Sequence, residues 1–321
     1  MRCKIKIGFK IRKQKMKLNN LKGSLILITA AFIWGMAFVA QSSAADSVPP
    51  FIINALRSFI AAIVLYLFSL VTNYKGTQQF FPKEKASRKQ FFAGGLICGV
   101  CLTISANLQQ FGIAAYPDGA ASEARSAFRT ALYVILVPIF SIFARKKLTV
   151  PVWIGIVVAL VGIYMLCFST GIEGIYLGDV LVFCCAISFA LHIMAVDKYV
   201  GITGGVKLSI MQFTVVGVLS LILSIIFEFK DISISNILDA TLPILYLGIM
   251  SSGVAYTLQI VGQKYAEPAV ASISMSLESV FGAIGGCLMG KALQSREIIG
   301  CALVFAAIII AQLPPIHMRK N

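Results

Sequence analysis

Residues 150–168 read VPVWIGIVVALVGIYMLCF, 19 consecutive residues without a charge. Rising 1.5 Å per residue as a helix, such a run is about 28 Å long, close to the thickness of a bilayer's hydrocarbon core. Comparable runs cover approximately 24–43, 51–72, 91–114, 121–144, 177–197, 207–228, 241–263, 267–289 and 295–313, which makes ten in all. Of the 321 residues, 58% are hydrophobic and 13% charged, against roughly one quarter charged in an average soluble domain. A soluble fold could not hide that much apolar surface. Lipid offers the backbone no hydrogen bonds, so each run must satisfy its own as a helix, and the dyad alternation of a membrane β-barrel is absent. The sequence therefore predicts an all-α integral membrane protein with ten transmembrane helices.

The charge pattern tests that count. Cytoplasmic loops collect Lys and Arg, and with the N-terminus inside, 22 of the 28 fall on cytoplasmic segments while only Lys230, Lys291 and Arg296 fall outside. The remaining three, Arg57, Arg125 and Arg129, lie within spans. Ten spans with both termini cytoplasmic, in the cell membrane, fit this segregation. The net charge of +15 is concentrated as well: nine basic residues stand between Arg2 and Lys22. They read as an orientation signal and as an arm attracted to anionic lipid; no aromatic or motif context points to nucleic acid. The apolar stretch from Ser24 to Ala40 exceeds the usual ~7–15 residues of a signal-peptide core. Ser43-Ala44-Ala45 is small enough for a cleavage site, but the match of this span to a later one argues for its retention.

That match is internal. A shift of 155 residues lays Gly23, Ala31, Trp34 and Ala40 over Gly178, Ala186, Phe189 and Ala195, and Arg57 over Gln212. Five spans per half put the second copy into the membrane upside down, the inverted-repeat design of many secondary transporters. The expected organisation is a basic tail at 1–22, a first five-helix repeat at 23–168, a second at 177–313, and a short tail at 314–321.

Several motifs occur together on this frame: Ala31-x-x-Trp34-Gly35, Ala55-x-Arg57, Thr130-Ala131-Leu132-Tyr133-Val134-Ile135-Leu136-Val137-Pro138, Ser276-Leu277-Glu278 and Ile298-Ile299-Gly300-x-x-Leu303. In this combination the chain resembles the EamA-type family of the drug/metabolite transporter superfamily, over about residues 22–313. The resemblance implies ten helices in two inverted five-helix repeats around a central cavity that opens to either side in turn, and a cargo such as an amino acid, a vitamin or a nucleotide derivative. Departures from the family pattern are Ser279 in place of proline, Lys291 in place of an acidic residue, and Glu123 and Arg129 flanking Arg125.

Ionisable side chains within spans are costly and are functional candidates by default. Glu278 lies about eleven residues into its span, roughly 16 Å deep, as a protonatable carboxylate or the partner of a cargo cation; an interhelical structural pair is the alternative. Arg125 and Arg129 share a helix face with Ser122 and Tyr133, while Glu123 points elsewhere. With Arg57 at similar depth, the three arginines could form a funnel for a carboxylate or phosphate; snorkelling or a clasp to a helix end competes with that reading. His192 suits proton coupling or plain interhelical hydrogen bonding, and the position of Gln212 under Arg57 makes it a further binding candidate. Thr103, Asn107 and Gln110 form one polar stripe, and Ser252, Tyr256, Gln259 and Gln263 another; each either lines a wet cavity or joins helices. Trp34 either stacks on cargo or anchors packing.

Seven of the eight cysteines lie in apolar segments, and Cys98-x-x-Cys101 reads as packing. Gly282-x-x-x-Gly286-x-x-x-Gly290 and Gly95-x-x-x-Gly99 read as close helix packing. His317, the other histidine, lies in the tail, so no metal site is expected. No nucleotide-binding loop, zinc motif or nucleophile elbow appears, so no cofactor is expected. The resulting reading is not an enzyme but a secondary transporter of a small polar metabolite, an amino acid or similar carboxylate-bearing solute, with coupling to a proton or counter-solute and homo-oligomerisation both open. The rival is a membrane-embedded enzyme on a lipid-linked substrate using Glu278 and His192 as acid and base; a receptor or assembly subunit is a third class.

Overall fold

The computed structural model describes the backbone of residues 2–72, 81–82, 84–117, 122–146, 148–167, 174–288 and 294–313, and the side chains of the same residues except 2–20, 122–124 and 286–288. Among the described residues the chain is helical throughout, without a strand. The helices are α1 (Arg2–Ala45), α2 (Pro50–Thr72), α3 (Lys85–Ala114), α4 (Ser122–Ala131), α5 (Tyr133–Phe143), α6 (Val150–Cys167), α7 (Leu177–Thr203), α8 (Gly205–Phe227), α9 (Ile234–Asp239), α10 (Thr241–Leu245), α11 (Tyr256–Gln263), α12 (Pro268–Met275), α13 (Leu277–Leu288) and α14 (Ser295–Ala311), with a π-helical stretch, Tyr246–Ala255, between α10 and α11.

Nine spans among the described residues are long and apolar enough to cross a membrane. They include α4 with α5, α10 through α11, and α12 with α13, each of which crosses as a broken helix. The tenth apolar run forms α14, whose 17 residues span about 25 Å, the short end of what crosses a bilayer. It packs along α6, which has 18 residues. The first helix begins at Arg2, ahead of the apolar run expected to start it. Lys, Arg, Gln, Leu and Met are good helix formers and no proline occurs before Pro49, so nothing stops the helix between tail and span.

Helix ends follow from local chemistry. Pro50 stands first in α2 and Pro268 first in α12, where the missing N–H costs nothing. Gly204, at φ 78°, divides α7 from α8, a conformation that a side chain would oppose. The ninth span breaks at Ser276, where Ser272, Ser274 and Ser276 donate to the carbonyls of Ala269, Val270 and Ile273; such back-bonding bends helices. The fourth breaks at Leu132, with Pro138 depriving the following helix of a donor. The two breaks share a geometry: Leu132 at φ −61°, ψ −12° and Ser276 at φ −62°, ψ −12°.

Large apolar side chains such as Phe68, Val157, Phe227 and Ile309 are exposed on the outside, while Asn54, Gln110, Gln212 and Ser252 are fully buried within. Lipid can face the first set, and the second must find hydrogen bonds between helices. Close approaches recur at glycines. A Cβ on Gly23 would lie 2.9 Å from the Gly262 carbonyl oxygen, and one on Gly178 would lie 2.5 Å from that of Gly112. One on Gly155 would lie 3.0 Å from the Ala307 oxygen, and one on Gly300 would lie 2.7 Å from that of Gly162. Each of these contacts joins a residue before 168 to one after 176, with Gly23 and Gly112 meeting Gly262 and Gly178, and Gly155 and Gly162 meeting Ala307 and Gly300.

Candidate functional site

The two broken spans meet near their breaks. Tyr133 is the first residue of α5 and Glu278 the second of α13, and the Tyr133 hydroxyl donates to Glu278 Oε1 at 3.1 Å. Beside them lies a cavity, and both side chains stand on its wall. Six of the residues singled out in the sequence line it: Trp34, Arg57, Tyr133, Tyr256, Gln259 and Glu278. Gln41, Gln109, Thr130 and Ser251 line it too; Thr130 enters the sequence reading only as the start of the fourth-span motif, and none of the four is named there as a binding candidate. Gln109 is the instructive case. It lies beside the Asn107–Gln110 stripe but on another face of α3, where its side-chain amide donates to Thr130 Oγ1.

Arg57 is 6% exposed. Its guanidinium donates to Ser252 Oγ at 2.9 Å, to Ser251 Oγ at 3.2 Å and to Gln41 Oε1 at 3.4 Å. All three acceptors are neutral, and among the described residues no carboxylate lies within ion-pair distance of it. A buried cation on a cavity wall, held only by hydroxyl and amide oxygens, has its geometry fixed and its charge uncompensated. Trp34 frames the same wall, with its indole N–H donating to the Ser251 carbonyl at 3.3 Å and its ring edge-on to Tyr256 at 4.8 Å. Phe38, Phe189, Ile193 and Met275 complete the apolar surface.

The other two arginines are placed elsewhere. Arg125 and Arg129 lie 3.2 Å and 2.9 Å from Asp179 Oδ2, and the Arg125 guanidinium lies 4.7 Å from the centre of the Tyr176 ring. The Tyr116 hydroxyl donates to Asp179 Oδ1 at 2.7 Å. Burial, and then this carboxylate, push the Tyr116 phenol above its ordinary range, so it stays a protonated donor. Asp179 also accepts the Tyr176 backbone N–H at the start of α7. The cluster is thus a clasp between α4 and a helix start, apart from the cavity lining. Asp179 escaped the sequence reading although it is the first acidic residue of an apolar run. Its partners lie some fifty residues upstream, and spacing on one helix carries no sign of them.

The remaining candidates sit between helices. His192 Nε2 lies 3.0 Å from Gln212 Oε1, both side chains fully buried and neither on the cavity. The acid and base of the enzyme alternative are therefore not gathered on one cavity wall. Asn107 accepts from the Asn54 amide at 3.1 Å and donates to Ser220 Oγ at 3.0 Å, while the Gln110 amide donates to the Gln41 carbonyl. Ser122 and Glu123 lie outside the described side chains, and Lys291 and His317 outside the described residues.

This architecture has relatives. The profile of the EamA-like transporter family matches residues 21–168 and again 176–312. An uncharacterized transporter of Archaeoglobus fulgidus is 26% identical over 320 residues, covering 97% of this chain and 92% of that protein. A solved structure, described only as a crystal structure of a protein, superposes with a TM-score of 0.72 at 19% identity, over 90% of this chain and 96% of its own. The fold is thereby one already seen by experiment. Matched in both halves, from the first apolar run to the last, this chain belongs to the EamA-like transporter family.

Proposed function

We propose that this multi-pass membrane transporter carries a small carboxylate-bearing solute, an amino acid or similar metabolite, across the cell membrane by alternating access. The observation that carries the reading is Arg57, a buried cation on the wall of the cavity with no carboxylate within ion-pair distance among the described residues. Guanidinium binds carboxylates bidentately, so a cargo carboxylate would supply the missing charge. Glu278, on the same cavity and held by Tyr133, would face a cargo ammonium group or carry a proton. Arg125 and Arg129 serve as the clasp on Asp179 and not as the anion site.

In this reading residues 23–168 and 177–313 are inverted repeats that rock around the cavity, between tails at 1–22 and 314–321, with both termini cytoplasmic. Support comes from the glycine contacts between the halves and from the shared break geometry at Leu132 and Ser276. A five-span half forces the second copy into the opposite orientation.

Matched pairs of carboxylic acids and their primary amides test the anion site. A ligand of the native state raises apparent stability by an amount set by its concentration over Kd, about 2.7 kcal/mol at 100 times Kd. In a thermal-shift screen of the purified protein, some acids are expected to raise Tm where their amides do not. Equal shifts from acid and amide throughout would refute a carboxylate site.

A further inference from the structure

Gln259 is 2% exposed and lines the cavity, and its amide orientation can be fixed. The Ile193 carbonyl can only accept a hydrogen bond, so Gln263 turns its NH2 toward it, at 2.9 Å. That leaves Gln263 Oε1 to accept from the Gln259 NH2, at 3.1 Å. Gln259 Oε1 is consequently left as a bare acceptor, with no donor among the described residues. Asn54 Oδ1 and Gln110 Oε1 also have no donor, but neither residue lines the cavity. An unmet acceptor on a cavity wall is costly unless something in the cavity supplies a donor.

Its place along the helix adds a length. Ser251 and Ser252, which hold the Arg57 guanidinium, precede Gln259 on the same span by seven or eight residues; the part up to Ala255 is π-helical and rises less per residue than an α-helix, so the separation along the axis is on the order of 10 Å. Tyr256, with Trp34 edge-on to it, stands between them. The cavity thus has a cation at one end, an aromatic wall in the middle and a bare amide oxygen at the other end.

We propose that Gln259 Oε1 is a specificity-determining acceptor, and that the cargo is an elongated carboxylate whose far end, roughly 10 Å from the carboxylate, bears a hydrogen-bond donor. This rests on the reading of Arg57 as the anion site. Extended chains cover about 3.3–3.6 Å for every three backbone bonds, so the distance corresponds to roughly eight or nine bonds.

The test uses straight-chain acids of graded length in three forms, unsubstituted, ω-hydroxy and ω-amino, measured as ligands of the full-length protein by thermal shift. At roughly eight or nine bonds, the ω-hydroxy and ω-amino acids are expected to bind about tenfold more tightly than the unsubstituted acid, the effect of one buried hydrogen bond; shorter chains should show no such preference. Gln259→Met should erase the preference, so that at this length the unsubstituted, ω-hydroxy and ω-amino acids differ no more than they do at shorter lengths. Gln259→Glu keeps an acceptor and should favour the ω-amino over the ω-hydroxy form, which guards against a Met variant that fails to fold. Discrimination unchanged in Gln259→Met, or acids bound by the wild type without length or donor preference, would overturn the proposal. Acids binding no better than their amides would instead overturn the Arg57 reading beneath it.

Discussion

Replacing Arg57 with glutamine is expected to lower transport about 100-fold while leaving the melting temperature in detergent unchanged or higher. The two effects have one cause. Hydrogen bonds to a charged group contribute about 1.5–3 kcal/mol, so loss of a bidentate contact to a cargo carboxylate corresponds to roughly one to two decades in binding. Without cargo the guanidinium contributes little to stability, because its partners Ser251, Ser252 and Gln41 are neutral and burying a charge that lacks a counter-ion is costly. Glutamine still offers an amide to the same hydroxyls. Arg57→Lys keeps the charge but not the planar fork and should fall between wild type and Arg57→Gln. A Tm that drops in parallel with the flux would mark Arg57 as structural.

Asp179→Ala is expected to do the reverse of this: to destabilise the fold by about 3–5 kcal/mol, the usual consequence of removing one partner of a buried ion pair. Asp179 is 4% exposed and accepts from Arg125, Tyr116 and the Tyr176 backbone while pairing with Arg129. Its loss leaves two guanidinium groups packed together without the carboxylate they share, and it frees the start of α7. Ser24, 155 residues before Asp179, joins its neighbour far more weakly, accepting from the Ser274 hydroxyl at 3.2 Å. Ser24→Ala should therefore cost about 1 kcal/mol, the worth of one neutral hydrogen bond. Denaturation midpoints of the two variants check both values; equal losses would mean that the charges at Asp179 contribute nothing beyond an ordinary contact.

The contrast between Arg57 and Arg125 shows what can and cannot be read from the sequence. The all-helical fold was legible, because a bilayer leaves apolar runs of about 20 residues with one way to satisfy their backbones. Counting residues from a span's end put Arg57, Arg125 and Arg129 at similar expected levels. Direction was not legible, because a broken span changes which way its side chains face. All three arginines looked alike until Asp179, from the other half of the chain, was seen to hold two of them. In the same way, Asn107 and Gln110 differ from Gln109 only by a rotation about α3, which decides whether an amide joins helices or lines the cavity. The local spelling around Trp34, Tyr133 and Glu278 pointed to one region, since they surround the breaks in the fourth and ninth spans. The clasp was hidden because its partners lie far apart in sequence.

The central claim is that the protein moves a carboxylate solute held by Arg57. The most direct measurement is uptake of a labelled acid, chosen as a thermal-shift ligand, into vesicles containing purified wild-type protein or Arg57→Gln, with the recovered label identified chemically. The expected result is saturable accumulation of the unchanged acid by wild type and a rate near that of protein-free vesicles for Arg57→Gln. Equal saturable uptake by both proteins, or conversion of the acid without its transfer into the vesicles, would contradict it.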